Sequence, residues 1–216
     1  MRIALISDMH GQLNFSIEKS DLLLIAGDIL PASKNPYMSC IYQETFLSCE
    51  FYPWVEKQPV DNCVFIGGNH DWIFDSSFAI PKMPDKLHYL CDNEVTINGL
   101  RIYGTPQQPI FLNWAFNRTE EQLEKYFDNI PEGLDILLSH TAPYKIMDVV
   151  DIQNRKGNFG CKILRDKIKE KKPRFVVFGH FHGCYGIEKE EETIYVNCSI
   201  IDEKYKMKKK PIYIEV

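Results

Sequence analysis

Five short apolar runs, each ending on side chains able to bind a metal ion, constrain this chain more than any other feature. Run 3–6 leads to Asp8 and His10, and run 22–26 leads to Gly27 and Asp28. Run 63–66 leads to Gly68-Asn69-His70-Asp71, run 136–138 to His140, and run 175–178 to Gly179-His180-Phe181-His182. Aliphatic and aromatic runs of this length read as buried strands. Run 22–26 is continuously apolar, which requires cover on both faces, as in a sheet with further layers on each side. Five of the six histidines stand at these strand ends, and only His88 falls elsewhere. Neutral imidazole is the commonest nitrogen ligand for transition metals. A lone strand-end histidine is more often a hydrogen-bonded turn residue, and His88 is read that way. For the other five that explanation would require the same coincidence five times.

Charge and cysteine usage narrow the class. A chain of 216 residues with 44% hydrophobic content suits one domain, 1–216, with an ordinary buried core. The net charge of −5 gives no general attraction to nucleic acid or to an anionic membrane. The apolar runs are strand-length, so no membrane-spanning helix is expected. The N-terminus enters a strand with no signal-peptide core. The seven cysteines are scattered with no CxxC pair, as expected of reduced thiols in a cytoplasmic protein.

Taken in order, strands are expected at 2–7, 21–26 and 62–67, with a short helix at 14–19 and a loop from Pro31 to Pro36. Met38, Ile41, Tyr42, Phe46 and Cys49 recur at helical spacing and predict a helix within 38–57. Strands follow at 87–91, 94–97 and 100–104, the last two joined by Asn98-Gly99, a strong hairpin signal. Thr119-Glu120-Glu121-Gln122 matches a capping box and opens a helix. A strand at 134–139, a long loop at 141–159, a helix at 161–171 and strands at 174–178, 185–188, 193–198 and 211–216 complete the chain. The pattern implies an α/β fold of two mixed sheets packed face to face with helices outside, its ligands held where the apolar strands end.

The ordered set Asp8-x-His10, Gly27-Asp28, Gly68-Asn69-His70-Asp71, His140 and Gly179-His180-Phe181-His182 resembles the calcineurin-like metallophosphoesterase superfamily. The stretches 94–104, 113–117 and 131–137 look like the fetal-brain type of metallophosphoesterase-domain protein. That resemblance implies a four-layer αββα sandwich and a metal-dependent phosphodiesterase acting on small diesters such as cyclic nucleotides. Some members carry glycine at the first histidine of the last block, whereas this chain keeps His180. The match assigns Asp8, His10, Asp28 and His182 to one divalent ion, and Asp28, Asn69, His140 and His180 to a second. Asp28 is shared. His70 is implied as the general acid, with Asp71 orienting it or a ligating ring. Mn²⁺ or Fe²⁺ suits the mixed oxygen and nitrogen donors, and Zn²⁺ is compatible.

The residue types supply a charge argument. Two divalent ions bring four positive charges, Asp8 and Asp28 remove two, and a hydroxide nucleophile bridging the ions removes a third. The single positive charge left matches a phosphodiester, and the motif blocks contain no arginine or lysine to offset a dianionic monoester. Arg101, Arg118, Arg155 and Lys156 lie outside the blocks. Phosphomonoesterases and nucleases are the enzymatic alternatives, and a non-catalytic scaffold is the third. A protein phosphatase would carry Asp-Arg-Gly soon after the Gly-Asp block, where this chain has Ile29-Leu30-Pro31-Ala32-Ser33. Trp72, Phe111, Trp114 and Phe116 could line a base-stacking pocket, although core packing is the stronger reading for each. Lys204 to Lys210 reads as a solvated turn.

Overall fold

The computed structural model describes residues 1–31, 36–152 and 155–216. Most of the expected loop from Pro31 to Pro36 lies outside the described residues, as do the side chains of Met38 and Arg155. The first half runs β1 (Arg2–Ile6), β2 (Ser20–Ala26), α1 (Pro36–Phe46), a π-helical turn (Leu47–Phe51), α2 (Tyr52–Lys57), β3 (Val60–Ile66) and β4 (Leu87–Tyr89). Then come β5 (Asn93–Ile97), β6 (Leu100–Thr105), β7 (Gln108–Pro109), β8 (Asn117–Arg118), α3 (Glu120–Asp128) and β9 (Ile136–Ser139). The chain ends with β10 (Val149–Ile152), β11 (Arg155–Asn158), α4 (Lys162–Lys171), β12 (Phe175–Phe178), β13 (Gly186–Glu190), β14 (Thr193–Asn197) and β15 (Ile212–Glu215).

Two large mixed sheets form, in the orders β15-β1-β2-β3-β4 and β13-β14-β12-β9-β6-β5. β1 to β4 are mutually parallel, β15 joins β1 antiparallel, and β6, β9, β12 and β14 are parallel to one another. The strand alternation sorts side chains into three apolar layers. Ile3, Leu5, Leu22, Leu24 and Val64 meet Ile102, Ile136, Leu138 and Val177 between the sheets. Ala4, Ile6, Leu23, Ile25 and Phe65 face the other way, against Phe46, Leu47, Phe51 and Val55 of the first helical layer. On the far side, Leu137, Val176 and Phe178 pack on Leu123 and Phe127 of α3 and on Leu164 and Ile168 of α4. The result is the expected αββα sandwich.

Local signals account for most boundaries. Thr119 accepts from the Gln122 backbone N–H and Gln122 reaches back, so the capping box forms at α3. α4 stops at Lys172, which takes the left-handed conformation just before Pro173. Asn98 and Gly99 both have positive φ, 51° and 85°, as the tight β5–β6 turn requires.

Three expectations are corrected. Residues 14–19 form no helix. There the Ile17 N–H donates to Gln58 Oε1 and the Glu18 N–H to the Tyr213 hydroxyl, so backbone donors are met by distant side chains. The helix within 38–57 is broken by the π-helical turn into two pieces. The loop at 141–159 contains the β10–β11 ribbon.

Candidate metal centre

The site lies where β1, β2, β3, β9 and β12 end, and their C-terminal ends face one place because all five run parallel within their sheets. The two sheets meet there. Ser7 donates its N–H to the Cys198 carbonyl and accepts from the Ile200 N–H, and its hydroxyl donates to the Ala26 carbonyl. The loops after β1 and β2 are also tied together. Asp8 donates its N–H to the Gly27 carbonyl and His10 to the Asp28 carbonyl. Asp8, His10, Asp28 and His180 all hold positive φ, between 43° and 65°. Left-handed backbone at a non-glycine residue costs on the order of 1–3 kcal/mol, and it persists where surrounding structure enforces it.

The structure brings all nine expected site residues to this point. His182 Nε2 lies 3.4 Å from Asp8 Oδ1. Asp28 Oδ2 faces two rings at once, His10 Nε2 at 3.6 Å and His140 Nε2 at 3.4 Å. Its other oxygen, Oδ1, accepts from the His70 backbone N–H at 2.8 Å. Three donor groups each fall within 4.8 Å: Asp8-His10-His182, Asp28-His140-His180 and His10-Asp28-His70. The first two reproduce the division implied by the motifs, with Asp28 between them. Asn69 Oδ1 sits 2.8 Å from His140 Nε2 and so joins the second group. His88, by contrast, bonds Asn62 from within β4, hydrogen-bonded as expected but in a strand and not in a turn.

Burial sets the electrostatics. Asp8 is fully buried, which alone would raise its pKa; the hydrogen bond and charge of His182 overcome this and hold it at about 2. Asp28 is likewise held well below the usual carboxylate range, by the His140, His70 and His10 charges against the cost of burial. Burial pushes His10 down to about 4 and His180 to about 3, so both rings are neutral and free to ligate. Burial opposes the charge on His140, but Asp28 outweighs it and lifts the ring to about 9. With Nδ1 held by the Ala26 carbonyl, a cation would take the place of the proton on Nε2, which faces the Asn69 amide oxygen and Asp28.

These residues fit a pair of cations. Both ring nitrogens of His10 are buried with no hydrogen-bond partner among the described residues, an arrangement that wastes free energy unless something else binds them. The donor set is carboxylate, imidazole and amide oxygen, which suits Mn²⁺, Fe²⁺ or Zn²⁺.

The supporting residues are only partly those expected. Among the described residues, Asp71 makes no hydrogen bond to a histidine ring. Its carboxylate accepts from the backbone N–H groups of Ile29, Leu30 and Gly68, and so clamps the loop after β2 to the loop after β3. Burial and the nearby Asp28 charge raise it to about 7. Gln43 of α1 touches the His70 segment: its amide N–H donates to the His70 carbonyl at 2.6 Å, and its oxygen accepts from the Ile73 N–H. Asn197 braces the last motif, donating to the Phe181 carbonyl. Gly179 packs so closely on Ser7 and Asp8 that a Cβ would collide with both. Tyr205 lays its ring 4.9 Å from His10 and 5.2 Å from His182, centroid to centroid. Neither Gln43 nor Tyr205 stands out in the sequence, the first being one polar residue in a helix and the second lying inside the lysine-rich turn.

Of the four aromatic residues weighed for a base pocket, Phe116 is buried and Trp72 packs on the first-layer core. Phe111 and Trp114 do line a cavity of about 390 Å³ that also reaches His180 and His182.

Comparison with known proteins agrees with this geometry. The calcineurin-like phosphoesterase family model matches residues 1–184, which include all nine site residues. Human metallophosphoesterase domain-containing protein 1 is 31% identical over 246 residues, covering 100% of this chain and 71% of the human protein. UPF0046 protein T07D4.2 of Caenorhabditis elegans is 31% identical over 252 residues, covering 100% of this chain and 60% of the worm protein. Among solved structures, phosphopantetheinyl hydrolase from Mycobacterium tuberculosis gives a TM-score of 0.57 at 12% identity, over 94% of this chain and 90% of that one. TT1561 of Thermus thermophilus gives 0.57 at 14% identity, over 91% and 88%. At such identities those two structures speak for the fold. Ordered motifs, converging strand ends and a family model spanning both lead to one assignment: the chain belongs to the calcineurin-like phosphoesterase family, metal-dependent phosphoester hydrolases with dinuclear centres.

Proposed function

We propose that this protein hydrolyses small phosphodiesters, cyclic nucleotides among them, at a two-metal site. Asp8, His10, Asp28 and His182 hold one ion, and Asp28, Asn69, His140 and His180 hold the other. Bound Mn²⁺ or Fe²⁺ would neutralise phosphate charge and make a water acidic enough to serve as nucleophile near neutral pH. Asp28 would serve both ions, since one oxygen is directed at both ligand groups and the other is fixed by the His70 N–H. His70, whose carbonyl is held by Gln43, stands 5.0 Å from the His10 ring and donates a proton to the departing alkoxide. Asp71 keeps the loops carrying Asp28 and Asn69 in register.

The observation that carries the diester reading is the absence of a cationic side chain from the cavity. Among the described residues, no arginine or lysine lines it. Arg101 pairs with Glu94 and Arg118 with Asp75, and Lys209 donates to the carbonyls of His182 and Ile201. A dianionic monoester would leave a surplus negative charge that no guanidinium among the described residues lining the cavity absorbs. All seven cysteines are unpaired, which supports a reducing, cytoplasmic setting, and no helix among the described residues is long and apolar enough to cross a membrane.

The test is hydrolysis of bis(p-nitrophenyl) phosphate against p-nitrophenyl phosphate by Mn²⁺-loaded protein, with 2′,3′- and 3′,5′-cyclic nucleotides alongside. The diester should be favoured at least about tenfold in kcat/KM, a difference of roughly 1.4 kcal/mol. Cyclic nucleotides should stop at the nucleoside monophosphate. Faster cleavage of the monoester, with free phosphate accumulating, would make the protein a phosphomonoesterase.

A further inference from the structure

The cavity over His180 and His182 has an unusual wall. Nine large hydrophobic residues are strongly exposed among the described ones, and five of them, Ile110, Phe111, Val149, Phe159 and Tyr205, line this single opening. Exposed apolar side chains are normally scattered, so clustering around one mouth marks a binding surface. Trp114 links that wall to the metal centre: its ring lies 5.2 Å from Phe111, 5.3 Å from His70 and 6.0 Å from His180. The loop is braced, since Asn117 donates its amide to the carbonyls of Phe111 and Leu112. The wall therefore runs from the ligating histidines outward as a held surface.

Its polar inventory is short. Among the described residues, Glu203 is the one carboxylate lining the cavity, and no lysine or arginine lines it. The Gln108 amide N–H groups already donate to the Ala115 carbonyl and to Asn117 Oδ1. The described wall adds the Thr141 and Tyr205 hydroxyls to these, so it offers no cation to a second anionic group and few polar atoms to a nucleobase. It can bury apolar surface and stack against a ring.

We infer that this groove is the subsite for one organic group of the substrate, and that it takes a bulky, uncharged, apolar group, alkyl or aryl. The inference rests on the proposed function in placing the phosphate at His180 and His182. A preference for apolar bulk, with the base of a cyclic nucleotide held by stacking alone, distinguishes it from a nucleotide-selective site.

Calorimetric titration of the Mn²⁺-loaded protein with methyl-, phenyl- and n-octylphosphonate tests it, because the three share one charged headgroup and differ in apolar bulk. Phenyl- or octylphosphonate should bind at least tenfold more tightly than methylphosphonate. Phe111→Ala and Phe159→Ala change half-exposed side chains outside the catalytic machinery and should each remove at least threefold of that advantage. Ile187→Ala, also exposed but not lining the cavity, should remove none. A larger gain for phenyl than for octyl assigns the groove to a stacked ring, and the reverse to a chain. Equal affinities for the three phosphonates, or equal weakening of all three in the phenylalanine variants, would overturn the inference. Binding and turnover separate the two readings: selective binding without diester cleavage retains the groove and removes the diesterase, while diester cleavage with equal affinities does the opposite.

Discussion

Asp28 illustrates how much one side chain carries here. It is buried, held in left-handed backbone, and turned so that a single oxygen faces both His10 and His140. Asp28→Ala should therefore lose both metals. Elemental analysis of purified variant against wild type checks this, and wild-type stoichiometry in the variant would dismiss the bridging role. His70 makes the opposite forecast. With the proposed role of acid and not ligand, its replacement in His70→Gln should leave metal content intact while slowing turnover by about 10²–10⁴ for alkoxide leaving groups, and far less for p-nitrophenolate, which departs without a proton. Equal slowing for both leaving groups would argue against proton donation. Asp71 acts on the backbone, so Asp71→Asn strands at least one buried N–H and should cost about 1–3 kcal/mol of stability, lowering Tm by several degrees in thermal unfolding. That these nine residues converge was legible in sequence because the apolar runs end on them in the order of the family motif. The Asp71 clamp was not, since which backbone N–H groups a carboxylate meets depends on where two distant loops come to lie.

Among the elements, those with local causes match expectation closely. The Asn98-Gly99 turn, the Thr119 cap and the apolar strands each need only neighbouring residues to be recognised. Elements with non-local causes do not. Residues 14–19 are expected as a short helix, yet the backbone donors of Ile17 and Glu18 are taken by Gln58 and Tyr213 from elsewhere in the chain. The β10–β11 ribbon lies in a stretch whose alternation is too weak to read. The basic run before β15 does form turns, but it also delivers Tyr205 to the metal-site histidines, which no pattern in the run announces. Two glycines separate local from non-local demand in one experiment. Gly99 has φ +85° with open space where a Cβ would go, so Gly99→Ala should cost about 1 kcal/mol in backbone strain and leave metal binding unchanged. Gly179 turns the chain between β12 and His180 against Ser7 and Asp8, so Gly179→Ala must displace the strand ends that carry the ligands. Metal affinity of Gly179→Ala, measured alongside thermal stability, should fall even where the fold survives. Undiminished affinity would mean the loops can part without disturbing the centre.

For the whole molecule, the question is whether the ions hold the sandwich together or merely occupy it. Three apolar layers are complete without them: the intersheet layer around Leu5, Leu24 and Val177, the first helical layer around Phe51 and Phe65, and the second around Phe127 and Phe178. The sheets also join directly through Ser7 and Cys198 next to the site. Against this stands a cluster of buried histidines and carboxylates, with both His10 ring nitrogens lacking a hydrogen-bond partner among the described residues and four of its members in left-handed backbone. The apolar layers outweigh that cluster, so protein stripped by a chelator should remain folded. It should melt lower, because a ligand bound only by the native state stabilises it, by about 2.7 kcal/mol per site at a hundred times Kd. For a chain of this size each 1 kcal/mol moves Tm by roughly 2–4 °C, so removal of one such site should lower Tm by about 5–11 °C. Far-UV circular dichroism at 25 °C should be unchanged while the thermal midpoint drops, and adding Mn²⁺ should restore it in a concentration-dependent way. Loss of the dichroism signal on chelation would mean that the cations are part of the framework, and that the strand ends cannot stay together on packing alone.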